Sequence, residues 1–268
     1  MPAVAGAFYP RDERALAEQV EELVAAGRTR LAGRDAAPEV TAVVAPHAGY
    51  LYSGPIAGSA FAALGPRAQA CERVVVIGPT HWVAFSGIAL SSAPAFVTPL
   101  GEVPVARDVV ERLCRLPGVT FHDEAHAPEH ALEVELPFLQ RLLGRFELVP
   151  LLTGDVSDEL AADVLAASVE GCDALVVVSS DLSHYLDAAA ARRADAATAR
   201  DVEAGRPVRG VQACGATAIN ALNELAARRG ARLEVLDLRS SGDTAGAPDR
   251  VVGYGAFRMV PRGKGGVR

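Results

Sequence analysis

Three apolar runs of this chain end in polar turns that carry histidine. Val43-Val44-Ala45 enters Pro46-His47-Ala48-Gly49-Tyr50, and Val75-Val76-Ile77 enters Gly78-Pro79-Thr80-His81-Trp82. Val176-Val177-Val178 enters Ser179-Ser180-Asp181-Leu182-Ser183-His184-Tyr185. In open α/β sheets, ligands bind outside the carboxyl ends of the strands. If the three runs are parallel neighbours, His47, His81 and His184 converge on one edge. Imidazole suits iron, copper, zinc or nickel. Two imidazoles from adjacent strand ends can fill neighbouring coordination positions, and a third group is then needed.

Cys214 is one candidate for that group. It stands in Gln212-Ala213-Cys214-Gly215-Ala216, ahead of the helical apolar spacing Ile219, Leu222, Leu225. A helix amino terminus favours the thiolate, the form that binds metal. The other reading is a buried structural thiol, which is the default for Cys71, Cys114 and Cys172. Asp181 and His184 are three apart and face the same way on one turn. Asp181 either caps that turn or orients His184 as an acid/base group. His130, beside Glu129, begins a helix and either faces the strand-end site or caps. Glu133 and Glu135 cannot share one helical face, so they form no carboxylate pair. Tyr50 and Tyr52 near His47, and Trp82 beside His81, can wall a substrate pocket in a chain only 5% aromatic.

Other engines are missing. His122 and His126 have the spacing of a zinc-binding HExxH helix, but Asp123 stands where glutamate is needed and Pro128 disfavours a continuing helix. There is no GxSxG or GxGxxG. The only lysine, Lys264, lies in a glycine-rich tail, which argues against a Schiff-base lysine and a P-loop.

The elements that position these residues follow from the pattern. Short β-branched runs alternate with helical stretches, the signature of an α/β fold with a central, largely parallel sheet flanked by helices. Helices are predicted after Asp12, with Gly27 ending the first, then from Pro55 to Gly65-Pro66, over 104–115, over 128–143 with a break at Pro137, and over 158–170, 188–203 and 215–229. Strands are predicted at 40–45, 74–77, 146–152, 174–178, 233–238 and 251–260. Two more, at 87–91 and 95–98, read as a hairpin. No linker divides the 268 residues, so one domain is expected over 1–268, with 262–268 as a flexible tail.

Composition narrows the function. Half the residues are hydrophobic and 22% charged, which supports a sizeable core. A net charge of −7 makes a sequence-independent nucleic-acid binder a poor fit. No run approaches the roughly 18 apolar residues of a membrane span. The first ten residues lack the pattern of a secretory signal, and four scattered cysteines read as reduced thiols, so a cytoplasmic protein is expected.

A set of longer motifs carries a resemblance. Ala5-Gly6-Ala7-Phe8-Tyr9-Pro10, Pro46-His47-Ala48-Gly49-Tyr50 with Tyr52-Ser53-Gly54, Gly78-Pro79-Thr80-His81, the run from Glu129 to Leu139, Ser180-Asp181-Leu182-Ser183-His184-Tyr185 and Cys214-Gly215 resemble the Memo family. Its prokaryotic members are the B proteins of the AmmeMemoRadiSam system. The resemblance implies a single α/β domain akin to the LigB-type, class III extradiol dioxygenases. It also implies a mononuclear metal site, iron or copper, held by His47, His81 and Cys214. His184 with Asp181 would match the dioxygenases' catalytic histidine region, and His130 would lie near the pocket. A thiolate in place of the dioxygenase carboxylate also admits zinc, so ring cleavage does not transfer with the fold. Ala131 stands where the family often has serine. Expected partners are a small-molecule substrate and, from family context, an AMMECR-type protein and a radical SAM protein. Two functions follow as expectations: a metal-dependent redox or oxygen-using enzyme, or a non-catalytic peptide or phospho-ligand binding module using the same pocket.

Overall fold

The computed structural model describes residues 1–34, 40–64, 70–171 and 173–262. In chain order the elements are α1 (Glu13–Arg30), β1 (Ala42–Ala45), α2 (Gly54–Ala62), β2 (Arg73–Pro79), β3 (Ile88–Leu90), β4 (Ala95–Thr98), β5 (Gly101–Pro104), α3 (Arg107–Leu113) and β6 (Val119–Phe121). There follow α4 (Asp123–His126), α5 (Leu136–Leu143), β7 (Glu147–Thr153), α6 (Asp158–Ser168), β8 (Ala174–Ser179), β9 (His184–Leu186), α7 (Ala188–Glu203), α8 (Ala216–Arg228), β10 (Ala231–Ser240) and β11 (Val251–Pro261).

One sheet runs in the order β10-β11-β1-β8-β2-β7-β3-β6, with β9 pairing β11. Its centre, β1-β8-β2-β7, is parallel throughout. β11 and β10 close one side antiparallel. The central strands are buried on both faces, which is why they read as continuous apolar runs. The period of two still sorts them. Val44, Val75, Ile77, Val176 and Val178 face a core shared with α3, α6 and α8. Val43, Val74, Val76, Leu175 and Val177 face a core shared with α1, α2 and α5. The chain is thus a single α/β domain with a mixed, largely parallel sheet between helical layers. No described helix is long and apolar enough to cross a membrane.

Helix starts follow local chemistry. Asp12 Oδ1 accepts the Ala15 N–H, Ser157 Oγ accepts that of Leu160, and Asp187 Oδ1 accepts those of Ala189 and Ala190. Gly27 does not end α1, which runs on to Arg30. Its bare Cα lets two backbones touch instead: a Cβ there would lie 2.3 Å from Gly58 O of α2, and a Cβ on Gly58 would lie 2.3 Å from Leu23 O.

Three further expectations are corrected. β3 and β4 form no hairpin. Asp123 captures the Ser91 and Ser92 hydroxyls and the Ser92 N–H, turning the chain away, and β4 pairs β5 while β3 lies between β7 and β6. Pro104 belongs to β5, and α3 begins at Arg107. No helix starts at His130. Residues 133–135 form a 3-10 turn and α5 begins at Leu136, with Pro137 in the first turn, where its missing N–H costs nothing. The predicted helix stop at Gly65-Pro66, Cys172, Lys264 and the tail beyond residue 262 lie outside the described residues.

Candidate metal centre

β1, β8 and β2 are adjacent and parallel, with Ala45 opposite Ser179 and Ile77 opposite Val178. Their carboxyl ends therefore share one edge. His47 and His81 each stand two residues beyond their strand. The same offset from β8 falls on Asp181, not on His184. Cys214 reaches this edge from the loop before α8. One Nδ1 or Nε2 of each imidazole and the Cys214 Sγ all lie within 4.8 Å of one another, and His47 Nε2 is 3.3 Å from Sγ.

Two contacts deliver the sulfur. Gly215 N–H donates to Ser180 Oγ at 2.9 Å, and the Asp181 N–H points at Sγ at 3.3 Å. A Cβ on Gly215 would lie 2.7 Å from Ser180 Cβ and 2.8 Å from Ser179 O. Gly215→Ala is therefore expected to push the Cys214 loop off β8 and weaken metal binding about tenfold or more, on the scale of a lost supporting contact. Zinc(II) titration of the folded variant checks this, and an unchanged affinity would contradict it.

Both imidazoles are oriented from behind. His47 Nδ1 lies 2.8 Å from Ser179 Oγ. His81 Nδ1 lies 2.9 Å from Glu129 Oε1, and the His81 backbone N–H donates to Glu129 Oε2 at 2.6 Å. Glu129 Oε1 also accepts the N–H groups of His130 and Ala131, each at 2.9 Å. This capture is what unwinds the predicted start of the helix at His130. The His130 ring stacks on His81 with centroids 4.8 Å apart and stands edge-on to His47 at 5.5 Å, and Phe8 packs edge-on against the same His130 ring at 4.8 Å. His81, Glu129 and His130 form a second group of close potential ligands. There the carboxylate already accepts N–H groups, so the arrangement reads as a hydrogen-bond network that positions His81.

The donor set fits a transition metal. Metal–nitrogen bonds of about 2.0 Å and metal–sulfur bonds of about 2.3 Å put N and S roughly 3.0–3.5 Å apart for angles between square and tetrahedral. The 3.3 Å separation lies inside that range. With each Nδ1 engaged behind, His47 and His81 keep Nε2 for the cluster.

Electrostatics reinforce this. Burial, followed by the neighbouring His81, pushes His47 down to about 3. Burial and then His47 take His130 down to about 4. Burial would raise Glu129, but the hydrogen bonds from His81 and the Ala131 and His81 amides prevail and bring it down to about 2. Asp181 moves the other way, up to about 6, through burial opposed by the His47 N–H that its Oδ1 accepts at 2.9 Å. The Cys214 thiol is pushed up to about 12 by burial and then by Asp181. Its place before α8 therefore does not favour the thiolate in the metal-free chain, contrary to the dipole argument.

The other sequence candidates scatter. Asp181 is buried, but the partner of its carboxylate is the His47 amide rather than the His184 ring, and residues 180–183 form no helical turn. His184 is exposed on β9, close enough to Asp181 and His47 to influence both electrostatically. Tyr50 does not wall the mouth. It packs in the core against Tyr9 and Phe138 and donates its hydroxyl to Val134 O at 2.6 Å. Tyr52 and Trp82 are exposed, at 39% and 66%. Leu51, Tyr185 and Val211 are also exposed, and each lies within four residues of a cluster candidate. Glu129, Ser179 and Phe8 were missed as site residues. Each lay inside a quoted motif or strand-end turn, but nothing local to those segments said which side chain it would support.

His126 lies apart, buried with Nε2 donating to Ala89 O at 3.1 Å, and burial takes it down to about 4. Unfolded histidine titrates near 6.5, so below that pH the unfolded chain binds the proton and the native one does not. The His126 contribution is whole above pH 6.5 and is lost as pH falls from there to about 4, by about 3 kcal/mol. Urea midpoints between pH 7.5 and 4.5 should fall less steeply for His126→Gln, which keeps an N–H donor. Parallel slopes would refute the assignment.

Known proteins resemble this chain over nearly its whole length. The profile of the family described as Memo-like protein matches residues 1–258. A MEMO1 family protein of Aeropyrum pernix is 34% identical over 96% of this chain and 98% of its own length. Those of Aquifex aeolicus (34%, covering 94% and 96%) and Archaeoglobus fulgidus (36%, covering 94% and 96%) align as fully. With profile and relatives both spanning the strand-end histidines, the Glu129 segment and Cys214, the chain belongs to the Memo-like protein family.

Proposed function

We propose that this protein holds a mononuclear transition metal through His47 Nε2, His81 Nε2 and Cys214 Sγ, and uses it as a redox or oxygen-using enzyme on a small substrate. The observation that carries the reading is the meeting of two imidazoles and a thiol from three distant segments, with each imidazole's second nitrogen already engaged. Iron or copper suits a site with a thiolate, and zinc is admitted. When bound, iron or copper would supply one-electron chemistry and open coordination positions, whereas zinc would supply only a Lewis acid. The chain's own residues do the rest. Glu129 and Ser179 hold the two rings. Asp181, whose carboxyl burial pushes up in the metal-free chain, accepts the His47 amide and so lies at the His47 end of the cluster, where it is the group proposed to hold a proton, and His184 is exposed nearby on β9. Trp82, Tyr52, Leu51 and Tyr185 are exposed side chains that follow the site residues closely in the chain, and they are the groups proposed to meet the substrate.

The phospho-ligand reading is less well supported. The groups touching the cluster include Glu129 and Asp181, and no arginine hydrogen-bonds to His47, His81, His130 or Cys214 among the described residues. A cytoplasmic location is part of the proposal, in keeping with free thiols at Cys114 and Cys214. So are kinship in fold with LigB-type dioxygenases, and partnership with an AMMECR-type and a radical SAM protein, both on the resemblance alone. The test is anaerobic purification with metal analysis, then titration of stripped protein with iron(II), copper(I) and zinc(II). About one metal per chain is expected. Failure to take up any of the three, or tight binding of phosphotyrosine by stripped protein, would overturn the reading.

A further inference from the structure

Ser179, the last residue of β8, has one hydroxyl proton and three polar partners. Ala131 O lies at 2.6 Å, His47 Nδ1 at 2.8 Å and Glu135 Oε1 at 3.0 Å. The carbonyl can only accept, and it is the nearest. Once the serine proton points there, Oγ has only lone pairs for the other two, so both must donate. His47 then carries its ring proton on Nδ1, and Glu135 must carry a proton of its own.

A second observation leads to the same state. Glu135 is fully buried, and its Oε2 has no hydrogen-bond partner among the described residues. As a carboxylate it would leave a charged oxygen bare in the core. As an acid it leaves only a carbonyl, a much smaller cost. Burial drives its pKa well above the ordinary glutamate value, nearby Asp181 adds to the rise, and only the Ser179 hydrogen bond opposes it. The contact is enforced by packing: a Cβ on Gly78 would meet Ala131 Cβ and Ser179 Cβ at 3.3 Å each, so the 131–132 turn rests directly on the ends of β2 and β8.

We propose that Glu135 is a neutral carboxylic acid whose proton locks the Ser179 hydroxyl and so holds His47 in the tautomer that leaves Nε2 open beside Cys214. Glu135 is a positioning residue that never touches the metal. Its effect on metal binding rests on the functional reading above, but its protonation and the His47 tautomer do not.

The experiment uses metal-free protein at pH 7. Infrared spectroscopy should show a protonated-carboxyl carbonyl band that Glu135→Gln removes. Nitrogen NMR should show His47 as the Nδ1–H tautomer, retained in Glu135→Gln, whose amide still donates to Ser179, and lost as a single form in Ser179→Ala. Zinc(II) affinity should then fall about tenfold or more in Ser179→Ala and by less in Glu135→Gln. The absence of an acid band removed by Glu135→Gln, or a His47 Nδ1 without a proton in the unaltered protein, would overturn the proposal. The tautomer reading decides even if the variants fail to fold. If band and tautomer are as expected and zinc does not bind, this assignment stands and the metal reading falls.

Discussion

Cys214→Ala, purified without oxygen, is expected to retain close to no metal where the unaltered chain retains about one per molecule. His47→Ala should behave the same way. In each case the cluster loses one of its three close donors, and the two that remain hold a cation far less tightly. A further signature belongs to the sulfur. Its thiol is pushed up to about 12, so at neutral pH metal binding must expel the thiol proton. Affinity should therefore rise by about tenfold for each pH unit below the thiol pKa, a slope that Cys214→Ala removes. Metal analysis and titration at three pH values read both effects. Unchanged stoichiometry in both variants would refute the ligand assignment.

Glu129→Ala should be the most damaging change that leaves every proposed ligand in place. One buried carboxylate accepts three backbone N–H groups, from His81, His130 and Ala131, and neighbours the rings of His81 and His130. Its removal strands those donors, and at roughly 1–3 kcal/mol for each unsatisfied group a loss of about 3–5 kcal/mol of stability is expected. His81 also loses the partner that turns Nε2 to the cluster, so metal affinity should drop about 10–100-fold. Urea midpoints and metal titrations measure the two separately. Glu129→Gln should fall between, because its NH2 group must face N–H donors. A variant with native stability and native affinity would show that Glu129 does not hold the site.

Much of this was legible in the residues. The apolar runs at β1, β2, β7 and β8 announce a buried parallel sheet, and histidines just past two of them announce an edge with chemistry. Elements went astray where the chain's hydrogen bonds go to distant partners. Residues 130–132 have a helical composition, but Glu129 accepts the His130 and Ala131 amides and the Ala131 carbonyl accepts the Ser179 hydroxyl. Gly27 looks like a helix stop because its real use, contact with Gly58, involves a different helix. Tyr50 looked like a pocket wall from its closeness to His47, yet its ring points into the core.

What the amino-acid order determined by itself is the class of fold and the kinds of donor atom at the strand ends, since both follow from local periodicity and residue type. Only the tertiary structure decided which atoms meet. It set Asp181, rather than His184, at the strand-end offset of the two imidazoles, brought Cys214 against His47 Nε2, and put Glu129, Ser179 and Glu135 behind the rings. The physical reason is that hydrogen-bond direction and strand register link residues far apart in the chain, and no local pattern records either.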